Sequence, residues 1–192
     1  MNASILESKK IGPFNLRNEV NKEWWYTGCY DPSKNIYFSF CIVCTPFFDY
    51  VSLSLFDPAN KIPIKFSKRI RLNNKEQTEA LYMSYNSKDM KFSYIANETN
   101  GLDFYFETND IKVNLNFIKT TAPVVKIDDL AKSKYYLLQY FHNIVKGEVQ
   151  FGRKVYSINN GLGILDRYFG RIPRNIFWNW LAVQNESIAF TG

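Results

Sequence analysis

The chain has 192 residues, 46% hydrophobic and 17% aromatic, with 24 Lys and Arg against 18 Asp and Glu for a net charge of +6. That length sustains a sizeable core, and the modest positive charge tilts partner choice towards anions without marking a nucleic-acid binder. There is no apolar run long enough for a membrane-spanning helix, no P-loop, zinc-finger or RNA-recognition signature, and one histidine with three cysteines (Cys29, Cys41, Cys44) gives no metal-ligand spacing.

Residues 1–22 are polar and irregular and are expected to form an arm, with residues 23–192 as the folded domain. Residues 23–30 predict a strand by aromatic density, and Asp31-Pro32-Ser33-Lys34-Asn35 predicts a turn. Residues 36–44 form the returning strand, almost wholly apolar and so buried on both faces or packed under another element. Residues 50–56 predict a third strand, closed by Asp57-Pro58. Ile62, Ile64 and Phe66 mark a fourth, which Pro63 places at a sheet edge or a strand start. The basic run Lys65, Lys68, Arg69 and Arg71 divides between the two faces of that strand, so it reads as a solvated surface.

Residues 79–85 predict a further strand. The sets Met90, Phe92, Tyr94; Leu102, Phe104, Phe106; and Ile111, Val113, Leu115, Phe117 alternate with polar neighbours, the period-two pattern of strands with one buried face. Residues 119–133 break this rhythm. Residues 131–142 are read as strand rather than helix. A hairpin joins 147–151 to 154–158 around Gly152-Arg153, and Asn159-Asn160-Gly161 is expected to turn the chain again. A strand is expected over 176–184, and a last apolar run from Ser187 stops at the final residue, the pattern of a domain cut from a longer chain. Short strands at this spacing, with little helix, predict an all-β antiparallel barrel or sandwich, and the short meandering connections favour the barrel. Such a barrel holds one small ligand or is filled by its own side chains.

The chemistry concentrates in Gly163-Ile164-Leu165-Asp166-Arg167-Tyr168-Phe169-Gly170. Asp166 is a candidate general acid, because a carboxyl kept neutral by apolar surroundings donates a proton and aromatic faces stabilise a cation. On a strand Asp166 and Arg167 point to opposite faces. On a turn they pair, and the guanidinium lowers the carboxyl's pKa. Arg171 and Arg174 are further bracing partners. Glu23 is a second candidate acid or base, with pairing to a basic side chain as its structural role. Trp24, Trp25, Tyr26, Arg167, Tyr168, Trp178 and Trp180 are the candidate ligand walls. His142 has no evident partner for base catalysis. No cofactor, metal or nucleic acid is implied. The N-terminus lacks the apolar core of a secretory signal, and free thiols suit a reducing compartment, so a cytoplasmic location is expected.

Three motifs carry a resemblance: Glu23-Trp24-Trp25-Tyr26, the spaced Gly161-x-Gly163-x-x-Asp166-x-x-x-Gly170, and Trp178-x-Trp180. Together they resemble the carotenoid-hydratase-like (CrtC) and AttH-like group of lipocalin-like proteins. The resemblance implies a lipocalin-like barrel and a partner in the form of a second barrel of the same protein. It also implies an apolar small molecule of isoprenoid, lipid or polyketide type, and water addition to isolated double bonds or cyclisation as activities. The hydratase motif Asp-His-x-Trp-Gly stands here as Asp166, Arg167, Tyr168, Phe169 and Gly170, so Arg and Phe replace His and Trp. Three readings remain: a module binding an apolar molecule, a hydratase, isomerase or cyclase using Asp166, and a structural or interaction domain with a filled barrel.

Overall fold

The computed structural model describes residues 22–45, 47–59, 63–72, 81–96, 101–122, 124–130, 133–170, 182–184 and 189–191. Among them there is no helix. A first meander comprises β1 (Lys22–Asp31), β2 (Ile36–Cys44), β3 (Asp49–Phe56) and β4 (Ile64–Ile70). A second comprises β5 (Leu81–Asn86), β6 (Met90–Ala96), β7 (Leu102–Thr108) and β8 (Ile111–Ile118). Then follow β9 (Val124–Leu130) and two long strands, β10 (Ser133–Phe151) and β11 (Lys154–Gly170). Among the described residues, the short β12 (Ala182–Gln184) and β13 (Ala189–Thr191) pair only with each other.

The large sheet runs β4-β3-β2-β1-β11-β10-β8-β7-β6-β5 with antiparallel pairing. The first meander is thus joined to the second through the β10–β11 hairpin. The first part of β10 extends beyond β8 and is covered there by β9.

Alternation sets the curl. Phe38, Phe40 and Ile42 of β2 share one buried face, as do Phe104 and Phe106 of β7 and Val113, Leu115 and Phe117 of β8. Phe40 meets Phe92, Tyr94, Phe104 and Phe106 at ring-centroid separations of 5.6, 6.1, 4.7 and 5.3 Å. These contacts carry β2 across to β6 and β7, so the sheet folds onto itself as a half-barrel, the lipocalin-like architecture expected. Each fully buried Phe contributes about 1.5–3 kcal/mol of apolar transfer, which offsets the entropy of ordering the meanders. Strand β2 alternates buried and half-buried residues rather than burying both faces.

One expectation changes. Asn159-Asn160-Gly161 is no turn, because β11 runs unbroken through it, paired to β10 and β1. The glycines serve packing instead. A Cβ on Gly163 would lie 2.5 Å from Val145 Cγ2 and one on Gly161 2.7 Å from Cys29 Sγ. The arrhythmic stretch at 119–133 contains β9.

One end of the half-barrel is closed by polar turns. Asp31 accepts from Ser33 N at 2.9 Å and Lys34 Nζ at 3.0 Å. Asp57 binds Lys154 and, at 2.8 Å, the Tyr156 hydroxyl, and the Lys154 hydrogen bond is the first of the interactions holding its carboxyl down to about 2. The opposite end, where β1 begins and β11 ends, carries the candidate site.

Candidate functional site

The site is built on the β1–β11 ribbon. Its register sets Trp24 opposite Tyr168, Trp25 opposite Arg167 and Tyr26 opposite Asp166. Residues directly opposite share a face, and neighbours along a strand alternate. The ribbon therefore sorts the candidates into two sets. Glu23, Trp25, Thr27, Leu165 and Arg167 face the interior. Trp24, Tyr26, Asp166 and Tyr168 face outward. Asp166 and Arg167 lie on a strand, on opposite sides, and do not pair. Trp178, Trp180, Arg171 and Arg174 fall outside the described residues.

On the inner face, Arg167 reaches Glu23 across 144 positions of sequence. Its Nε and Nη2 each lie 3.1 Å from Glu23 Oε1. Trp25 Nε1 donates to the same oxygen at 2.9 Å, and the guanidinium rests 4.4 Å from the centre of the Trp25 ring. Glu23 is 1% exposed and Arg167 7%, so this pair is buried rather than at a solvated rim. Burial pushes the Glu23 carboxyl up, and Arg167, followed by the Trp25 hydrogen bond, opposes it. Deeper in, Thr27 Oγ1 and Tyr94 Oη are 2.8 Å apart.

Between these residues lies a cavity of about 60 Å³, walled by Trp25, Thr27, Tyr94, Leu102, Tyr140 and Leu165, with Lys119 and Arg167 also on its lining. Tyr26 and Asp166 border it too. Strand alternation assigns their contribution to the main chain. Whole-ligand pockets run to roughly 300–1,000 Å³, so this cavity admits one end of a molecule.

A β-bulge shapes the cavity wall. Tyr140 pairs with Leu165 and Asn143 with Gly163, which leaves Phe141 and His142 opposite Ile164 alone. His142 takes a φ of 55°, a left-handed conformation that histidine tolerates better than most residues. Asn143 Nδ2 holds the bulge by donating to Tyr140 O at 2.9 Å and Gly163 O at 3.1 Å. Thr121 Oγ1 donates to Phe141 O at 3.0 Å. The bulge sets Tyr140 into the cavity, with Lys119 Nζ 4.0 Å from the centre of its ring.

The outer face differs. Asp166 is 4% exposed, and Gln139 Nε2, its neighbour on β10, donates to Oδ2 at 3.4 Å. Oδ1 has no hydrogen-bond partner. Burial pushes this carboxyl up to about 7, against weaker lowering by Gln139 and Trp24. Trp24 stacks on Tyr168 with centroids 4.0 Å apart and planes at 15°, and Leu137 packs against them. The Tyr26 hydroxyl is hydrogen-bonded to that of Tyr37.

The family model for the domain of unknown function DUF2804 matches residues 8–190. The chain belongs to that family. No curated protein matches it. Among solved structures, this DUF2804 chain is similar to the AttH-like protein NE1406 of Nitrosomonas europaea, with a TM-score of 0.67 and 14% identity over 84% of this chain and 56% of that one. It is also similar to kievitone hydratase from Nectria haematococca, with a TM-score of 0.55 and 12% identity over 80% of this chain and 48% of the hydratase. At such identities the likeness shows a shared lipocalin-like fold. The chain spans about half the length of these neighbours.

Sequence reasoning on this DUF2804 chain missed Tyr94, Leu102, Lys119, Gln139 and Tyr140. Tyr94 and Leu102 carry the alternation of ordinary core. Lys119 and Tyr140 reach the cavity through the curl and the bulge, which no local pattern announces. The cysteines are free, and burial drives the Cys29 and Cys41 thiols up to about 12, which makes them inert. Among the described residues there is no cluster of metal-ligating side chains, and no helix long and apolar enough to cross a membrane.

Proposed function

We propose that this chain binds an apolar small molecule of isoprenoid, lipid or polyketide type, one end of which enters the inner cavity. The observation that carries this reading is the cavity itself, left between Trp25, Tyr94, Leu102, Tyr140 and Leu165 beside a core of packed aromatic and aliphatic side chains. Large aromatic and aliphatic walls with few polar groups favour apolar ligands. The rest of the molecule extends out at the end where β1 begins and β11 ends. The match to about half of each structural neighbour supports a second barrel of the same protein that covers it there. The Glu23–Arg167 pair braces the wall, and Trp25 and Arg167 are the wall residues closest to the ligand's path. A tryptophan-fluorescence titration with fatty acids, linear isoprenoids and polycyclic apolar compounds tests this. Saturable quenching by one class supports the site, and a flat response to every class removes it.

A second reading is chemical, and Asp166 favours it. A buried carboxyl at about 7 is partly protonated near neutrality. It is therefore able to deliver a proton to an alkene carbon, after which water adds to the cation and returns a proton to the carboxylate. Trp24 and Tyr168 provide the aromatic faces on that side, with Tyr26 beside them. Their ligand is separated from the inner cavity by the thickness of the sheet. Asp166→Asn decides this reading. Lost turnover with binding retained supports it, and unchanged turnover excludes Asp166. Glu23→Gln applies the same test to the inner acid, whose tight contact with Arg167 favours a bracing role over proton transfer.

A further inference from the structure

The connection between β2 and β3 places aromatic side chains in solvent. Phe47, Phe48 and Tyr50 are 79%, 39% and 38% exposed. Glu23 pairs with Cys44, so this connection stands at the end where β1 begins. It is ordered from within. The Thr45 hydroxyl accepts from Phe47 N at 3.3 Å and Phe48 N at 3.1 Å and donates to Phe48 O at 2.6 Å, and Thr45 N donates to the same carbonyl at 3.1 Å. These amides are satisfied without water, which removes a main cost of moving a turn into an apolar medium.

The exposed charge around the tip is positive. Tyr50 lies opposite Arg69 on β4, whose guanidinium rests 4.3 Å from the centre of the Phe48 ring. Lys65, Arg69 and Arg71 are exposed and recur at even spacing, the alternation of one strand face. The carboxylates close by are engaged: Asp49 is buried and accepts from Leu72 N at 2.8 Å, and Asp89 pairs with Lys68. Two copies meeting through this tip would set like charges together, and a protruding tip offers little of the roughly 800 Å² per partner that a stable protein interface buries. An anionic lipid surface matches both features. Its phosphates attract the guanidinium groups, and its headgroup–acyl boundary takes the exposed rings.

We propose that the β2–β3 tip docks the protein on an anionic phospholipid surface, with Phe47 entering the boundary of headgroups and acyl chains and Arg69 and Arg71 meeting the phosphates. Docking of this kind brings the site end to a bilayer and is independent of what the cavity holds.

Co-sedimentation with vesicles tests it, using phosphatidylcholine alone and phosphatidylcholine mixed with phosphatidylglycerol. The mixed vesicles are expected to bind the chain about tenfold or more tightly, and the preference should fade as ionic strength rises. Phe47→Glu should cut binding to the mixed vesicles about tenfold or more, and Arg69→Gln about fivefold. Phe47 is largely in solvent, so its replacement should leave the melting temperature unchanged. Val155→Glu is the control. It makes the same charge change at the opposite end, on a side chain 52% exposed, and should leave binding within about twofold. Absence of binding to the mixed vesicles overturns the proposal, as does equal binding to the two kinds. Equal losses from Phe47→Glu and Val155→Glu make net charge the cause and overturn the assignment to the tip. A chain that is dimeric in buffer and becomes monomeric with Phe47→Glu gives the tip to a second copy and overturns lipid docking.

Discussion

On the inner face of the β1–β11 ribbon a buried carboxyl meets a guanidinium. On the outer face, one residue away along β11, a buried carboxyl meets an amide and an indole but no guanidinium. Glu23 and Asp166 are both almost fully enclosed. Their difference is the partner. Arg167 balances Glu23 with two contacts and braces the cavity wall. Among the described residues no cation is paired with Asp166, and burial outweighs the hydrogen bonds from Gln139 and Trp24 that would lower its pKa. Burial holds both carboxyls at about 7; the contact with Arg167 ties Glu23 to the wall, which leaves Asp166 as the proposed acid.

The pair is the place to break this comparison hardest. Arg167→Met leaves Glu23 buried without its countercharge, which should cost about 3–5 kcal/mol at about pH 8 in urea unfolding. The loss should shrink in acid, because a protonated Glu23 needs no cation.

Asp166→Asn should act in the opposite direction. The folded protein holds the Asp166 proton up to about 7, the unfolded chain only up to 3.8. Between those values the folded state binds more protons, so the wild type loses stability as pH rises. The asparagine variant escapes that loss. It should match the wild type at the acid end of this window and exceed it above neutrality by about 2–4 kcal/mol. Parallel unfolding curves at several pH values provide the check, and a variant less stable than wild type in base would show that Asp166 is ionised at little cost.

Gly163→Ala sharpens the contrast between the packed and hollow parts of the inner face. The added methyl would meet Val145 and Phe117 at 2.5 and 2.9 Å, and such overpacking costs about 1–3 kcal/mol. The smallest effect belongs to the outer stack. Trp24→Leu keeps most apolar burial but removes the ring pairing with Tyr168, worth about 0.5–1.5 kcal/mol in thermal or chemical unfolding.

Much of the fold was legible because the strands announce themselves. The alternations at Met90, Leu102 and Ile111 became β6, β7 and β8, and Glu23-Trp24-Trp25-Tyr26 became the start of β1. Asn159-Asn160-Gly161 misled because its composition favours a turn, whereas pairing on both sides with β1 and β10 holds it extended. The stretch containing β9 lacks the clean alternation of its neighbours. The site was half legible. Glu23, Arg167 and Asp166 stood out by residue type, and strand geometry already implied opposite faces for Asp166 and Arg167. A choice between strand and turn needed the long-range register. The Glu23–Arg167 bond joins distant positions, and the bulge that sets Tyr140 into the cavity depends on Asn143 meeting the main chain of β11.

The division of labour between the two faces is tested most directly by one calorimetric comparison, in which the apolar ligand class found by titration is added to the unaltered protein, to Leu102→Trp and to Asp166→Asn. A tryptophan at Leu102 fills the inner cavity. The account predicts that Leu102→Trp abolishes binding and that Asp166→Asn retains it. Binding kept by the filled cavity and lost with Asp166 would move the ligand to the outer face and contradict the account.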